Sequence, residues 1–130
     1  MLGDPVDDAL NGDIAAMLSI ASIPHAELVA ASGGRDRILT AEVLRRVVQT
    51  LVSGTATAAD VQRWASFVRR GYVAGSGGPI KPLPIDYEAA REEDIAEVVG
   101  RLDELGDIVD GEPSVDEQEL WLELLKPNAR

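Results

Sequence analysis

The chain has 130 residues, of which 45% are hydrophobic and none is cysteine, and its formal net charge is −11. This length suits one domain with one modest core, and the lack of cysteine excludes disulfides, a thiolate nucleophile and thiolate zinc ligands. No stretch approaches the roughly 20 apolar residues of a membrane helix, and residues 1–13 are acidic, unlike a signal peptide. We therefore expect a soluble, cytoplasmic protein with no membrane partner.

Charge is distributed unevenly along the chain. Residues 1–34 carry five carboxylates and no lysine or arginine, residues 35–82 carry eight cations and three carboxylates, and residues 83–130 carry fifteen carboxylates and four cations. The central segment is therefore positive and the last segment strongly negative. An electrostatic field dominated by one sign of charge raises the rate of association with an oppositely charged partner. Acidity that serves only solubility is an equal alternative.

The first third of the chain shows two helical patterns. Apolar residues recur at spacings of three and four from Asp7 to Ile20, which predicts one amphipathic helix. Pro24 forces the residue before it out of helical geometry, so this helix ends near residue 23. A short further helix is predicted over 26–32. Whether residues 1–34 join the core or lie at its periphery is left open.

Two capped helices follow in the central segment. Thr40 is placed to cap a helix that Gly54 ends, and Thr57 is placed to cap the next one. The second helix carries its large apolar residues on one side, as expected of a face that packs into the core. The predicted core residues in it are Trp64, Phe67 and Val68.

The remainder of the chain alternates between loop and helix. Residues 74–86 hold three glycines and three prolines, which predicts a long connection without helix. An acidic helix is predicted over 87–105, and Ser114 and Glu117 have the spacing of a capping box for a last helix before Pro127. Leu102 and Trp121 join the predicted core, and the last helix is expected to pack residues 120–122, 124 and 125. With no convincing strand, the pattern predicts a single all-α domain over 1–130: a bundle of four to five helices whose acidic C-terminal helices occupy 87–126.

Residues that could support catalysis are few. His25 is the only histidine, and a surface or structural role is the better interpretation of a single histidine beside a proline. The segment 75–78, GSGG, lacks the Lys-Ser/Thr of a phosphate-binding loop. The carboxylate-rich segment 103–117 fails the calcium-loop register, because Gly106 stands where the first aspartate must be. We therefore predict no enzyme, no cofactor and no metal site.

Residues 40–70 also fit a helix-turn-helix pattern, which makes a DNA-binding regulator one alternative. The second helix would then read bases through Gln62, Arg63, Ser66 and Arg70. The net charge of −11 and the acidic flanks oppose this, because they repel phosphate. The arginines at 45, 46, 69 and 70 can equally form internal ion pairs with the C-terminal carboxylates. A generic helical adaptor or assembly protein is a third alternative.

The stretch VVQTLVSGTATAADVQRWASFV, with the loop and acidic helical tail that follow it, resembles the small helical immunity proteins that bacteria hold against colicin-like and contact-dependent toxins, in the style of the colicin D immunity group. The resemblance spans residues 43–125 and implies a non-catalytic protein that neutralises a cognate basic, nuclease-type toxin. An acidic surface suits that task because it steers association and can occupy a site built for phosphate. From charge and helix geometry, the predicted partner-binding residues are Glu93, Glu97, Asp103, Glu104, Asp107, Asp110, Glu112 and Asp116.

Overall fold

A computed structural model describes residues 5–32, 37–72, 82–83, 85–105 and 114–126 of the chain. Seven α-helices, one 3-10 turn and two short strands lie within these residues. In chain order they are α1 Pro5–Leu10, α2 Ala16–Ser22, α3 His25–Ser32, β1 Arg37–Leu39, α4 Ala41–Ser53, α5 Ala58–Arg70, β2 Ile85–Tyr87, the 3-10 turn Ala89–Arg91, α6 Glu92–Asp103 and α7 Val115–Leu124. The predicted all-α class is confirmed, since the strands are three residues each. No helix of the described part is long and apolar enough to cross a membrane.

The predicted caps are present at the ends of three helices. Thr40 and Thr57 each accept a hydrogen bond from the backbone amide three residues later, at 3.2 and 3.1 Å. Gly54 ends α4 with a left-handed backbone, at φ +77°. Ser114 and Glu117 form the capping box of α7. These short-range patterns determine where α4, α5 and α7 begin.

The prediction of one helix from Asp7 to Ile20 is wrong. The helix stops at Leu10 and resumes at Ala16, and Gly12 lies between them with φ +98°. A right-handed helix cannot pass through that backbone conformation, whereas glycine adopts it without steric cost. The interruption lets α2 fold back against α1.

The prediction that the chain has no strand is also wrong. β1 pairs in parallel with β2, with Arg37 opposite Ile85 and Leu39 opposite Tyr87. The first two residues of β2 fall in the segment 74–86 that was predicted as loop, and residues 74–81 and 84 of that segment lie outside the described residues. Glu88 then accepts a hydrogen bond from the Ala41 amide at 3.0 Å, which fixes the start of α4 beside the strand pair.

One hydrophobic core includes residues from every α-helix of the described part. The side chains predicted for the core are all buried, with exposed fractions of 3% or less: Trp64, Phe67, Val68, Leu102 and Trp121. Val6 and Met17 belong to the same cluster, so the N-terminal segment contributes to the core. Leu120 was expected to pack but is 56% exposed, because Trp121 and Leu125 occupy the buried side of α7.

Candidate partner-binding surface

Asp103 is the one predicted partner-binding residue that the described structure buries. Its side chain is 8% exposed and lies 2.9 Å from Arg69 and 3.2 Å from Arg70, both on α5. Its backbone carbonyl accepts a hydrogen bond from the Gln62 side chain at 3.0 Å. Asp103 therefore joins the C-terminal end of α6 to α5 and is removed from the predicted surface, because its carboxylate already has two guanidinium partners. Of the four arginines considered for internal pairs with C-terminal carboxylates, Arg69 and Arg70 form them.

The same contacts determine where the candidate DNA-reading residues lie. Gln62 and Arg70 are bonded to Asp103, and Ser66 is buried with its hydroxyl bonded to Arg70. Arg63 is half-exposed and lies 3.8 Å from Asp60 on its own helix. Gln62, Ser66 and Arg70 are thus engaged in contacts within the fold, which opposes base reading through these three side chains.

The side of α6 that faces solvent, away from the hydrophobic core, is acidic. Glu93 and Glu97 are exposed, and neither has an ion-pair partner among the described residues. Glu104 is about half-exposed and lies 3.0 Å from Arg101, so its charge is partly compensated. Glu92 is exposed as well. We call the exposed side formed by Glu92, Glu93 and Glu97 the acidic face of α6.

Arginines of the acidic segment are held in internal contacts. Arg91 donates hydrogen bonds to the backbone carbonyls of Leu124 and Lys126, and it lies 3.6 Å from Asp94. Arg101 contacts Glu104 and also Glu117, at 2.6 Å. Arg91, in the 3-10 turn before α6, and Arg101, in α6, are thereby both engaged in contacts with α7 and the residues that follow it.

The exposed side of α7 also carries carboxylates. Asp116 is exposed, as predicted for a partner-binding residue, and so are Glu119 and Glu123, which were not among the predicted residues. Val115 and Leu120 are also exposed there, at 68% and 56%. The spacing of these carboxylates, at three and four residues, could have identified them; of the apolar pair, Leu120 alone was predicted to pack, because it lies beside Trp121 and Leu122.

Glu117 links the α7 cap to α6 and has a pH-dependent role. Its pKa is lowered, first by the hydrogen bond from Arg101 and further by the Ser114 amide of the capping box. A carboxylate with a depressed pKa stabilises the fold above its unfolded-state pKa, and this contribution is lost as the pH falls through the folded-state value.

We expect Glu117→Gln to destabilise the protein near neutral pH, and the difference from wild type to vanish in acid. Urea unfolding at a series of pH values measures this. Glu119→Gln, a change at an exposed residue of the same helix, is the control and should show no such pH-dependent difference. A constant difference across the whole pH range would contradict the proposed role of the Glu117 charge.

Tyr87 and His25 are two further titratable residues, and neither belongs to the acidic face of α6. Tyr87 on β2 has a raised pKa, mainly because it is partly buried; the charge of Arg69 opposes this rise and the charge of Asp103 adds to it. His25 stacks edge-on against Tyr72, with ring centroids 6.3 Å apart, in keeping with a structural histidine. No group of three candidate metal ligands occurs in the part of the chain that the structure describes.

Three predicted partner-binding residues lie outside the described residues: Asp107, Asp110 and Glu112. Of the described residues, Glu93, Glu97 and Glu104 lie exposed on α6 and at its C-terminal end and Asp116 lies exposed on α7, whereas Asp103 is removed from the predicted surface. Comparison of the chain with protein-family models, curated proteins and solved structures found no match.

Proposed function

We propose that this protein is a non-catalytic immunity protein that neutralises a basic, nuclease-type toxin by binding it through the acidic face of α6 and the outward carboxylates of α7. The supporting observation is that Glu93 and Glu97 are exposed and have no ion-pair partner within the described ranges, while Arg91 and Arg101 are held in internal contacts. Carboxylates that are uncompensated at a surface produce a field that accelerates capture of a basic protein.

The first test is capture of the partner and restoration of its activity. The tagged protein is incubated with lysate of its own organism at low and high salt, and the bound fraction is assayed for protein and nucleic acid. We expect one basic protein whose nuclease activity returns on separation and is abolished again by a stoichiometric addition of this chain. Capture of nucleic acid alone, or of a basic protein whose activity the chain does not inhibit, would contradict the proposal.

The double variant Glu93→Lys/Glu97→Lys is expected to slow association with the captured toxin on the order of tenfold at low salt, with a smaller effect at high salt. Surface plasmon resonance measures the association rate at both salt concentrations. The control is Glu27→Lys/Glu42→Lys, which changes the net charge equally at exposed residues of α3 and α4. If the control slows association as much as the test variant, net charge acts and the acidic face of α6 is not the interface.

Gly100 offers an uncharged probe of the same surface. It follows Glu93 and Glu97 at spacings of seven and three residues, which places it on their side of the helix. A Cβ atom there would have nothing within 4 Å, and its backbone is helical. We expect Gly100→Ala to raise the free energy of unfolding by about 0.5–1 kcal/mol, since alanine favours the helix.

Gly100→Trp should then keep the fold, as circular dichroism would show, and weaken toxin binding by steric obstruction. Wild-type binding by the folded tryptophan variant would place the interface elsewhere.

The exposed Val115 and Leu120 favour a second candidate, an assembly protein that self-associates through α7. Light scattering separates the two: a stable dimer that Leu120→Ser converts to a monomer would support assembly, whereas a monomeric wild type would exclude self-association through this pair.

A further inference from the structure

A cavity of about 380 Å³ lies between the turn that joins α1 to α2 and the turn that joins α4 to α5. This volume is within the range of small-molecule sites. Asp60 and Arg63 of α5 line the cavity. The carboxylates of the acidic face of α6 do not line the cavity. It is therefore a separate feature of the molecule.

The inner surface of the cavity is largely apolar. Met17 is buried at 2% exposure, and Ile14 and Ala56 are half-buried. Leu18 also lines the cavity, although its side chain is 71% exposed. An apolar ligand that entered the cavity would cover Leu18 and remove its surface from water, which is favourable.

The charged groups that line the cavity favour ligands of one sign of charge. Asp60 lies 3.8 Å from Arg63, with both side chains 48% exposed, so these two charges largely offset each other. Asp13 is exposed and has no ion-pair partner among the described residues. The hydroxyl of Thr50 already donates to a backbone carbonyl of α4 at 2.6 Å. Asp13 therefore supplies the available polar contact, and its charge is negative.

We propose that this cavity binds a small organic cation, an ammonium group carried on an apolar body about the size of one aromatic ring. The ammonium group pairs with Asp13 at the mouth, and the apolar body packs against Met17, Ile14 and Leu18. This site is independent of the proposed toxin-binding surface, so its failure would leave the immunity proposal unaffected.

The test uses 2-phenylethylamine as the probe, with the neutral 2-phenylethanol as its uncharged counterpart. We expect the amine to bind with a Kd of about 1–10 mM, the range for a fragment of this size. The alcohol should bind about three- to fivefold more weakly, which is the contribution of one exposed ion pair. In heteronuclear ¹H–¹⁵N correlation spectra, the amine should shift the backbone amide signals of Asp13, Ala15, Thr55 and Ala56.

Two variants decide whether Asp13 acts as proposed. Asp13→Asn should reduce affinity for the amine to that for the alcohol, while leaving the alcohol's own affinity unchanged. Asp8→Asn, an exposed aspartate of α1 that does not line the cavity, is the control and should bind the amine as wild type does. Signal shifts outside the cavity, equal affinity for amine and alcohol in the wild type, or absence of binding at about 10 mM would each overturn the proposal.

Discussion

Trp64→Ala is expected to lower the free energy of unfolding by about 3–5 kcal/mol, the range for truncating a buried aromatic residue. The ring is fully buried, and its Nε1 donates a hydrogen bond to the Ala9 carbonyl at 2.8 Å. The substitution removes the contacts of the ring in the core and the link from α5 to α1. Chemical denaturation measures the loss, and hydrogen exchange should show the amides of α1 losing protection first.

The control, Trp64→Phe, separates packing from the hydrogen bond. Phenylalanine keeps most of the apolar volume but leaves the Ala9 carbonyl without its donor, which costs about 1–3 kcal/mol. An alanine variant with the wild-type denaturation curve would show that the ring does not join α5 to α1.

Gly71→Ala is the second substitution with a large expected effect, a loss of roughly 2–5 kcal/mol. Gly71 ends α5 with φ +80°, where a side chain is strained by about 1–2 kcal/mol. An added Cβ would also lie 2.6 Å from the backbone oxygen of Leu83 and 2.9 Å from its nitrogen. Backbone cannot move aside as a flexible side chain can, so overpacking adds about 1–3 kcal/mol.

Gly54→Ala is the matched control for Gly71→Ala. Gly54 has nearly the same backbone conformation, φ +77°, but a Cβ there would have nothing within 4 Å. It should therefore show the strain alone, about 1–2 kcal/mol. Thermal or urea unfolding compares the two directly. Equal losses in both variants would contradict the close approach of residues 82–83 to the end of α5.

Features that depend on neighbouring residues were predictable from the sequence. The caps at Thr40, Thr57 and Ser114 involve amides three residues away, so the short motifs contain the information that is needed. The buried position of Trp64 follows from its helical spacing. The interruption at Gly12 was missed because a single glycine inside an apolar repeat does not reveal its backbone angle.

Features that depend on distant residues were not predictable. β1 and β2 are three residues long, and each becomes a strand only because the other lies beside it. Asp103 belongs to an acidic helix and looks like surface until Arg69 and Arg70 of α5 are placed against it. The exposed positions of Glu93 and Glu97, in contrast, follow from helical period alone. The amphiphilic cavity at Asp13 has no sequence signal, since two separate turns form it.

The parallel pairing of β1 with β2 has a consequence for the order of folding. The pairing closes a loop that contains both α4 and α5, and the Ala41–Glu88 hydrogen bond spans 47 positions of the chain. Closing a long loop costs conformational entropy before its few hydrogen bonds form. The hydrogen bonds of a three-residue strand pair are too few to offset that entropy cost. We therefore expect α4 and α5 to pack first and the two strands to pair last. The strand pair would then secure a fold that has already formed instead of nucleating it.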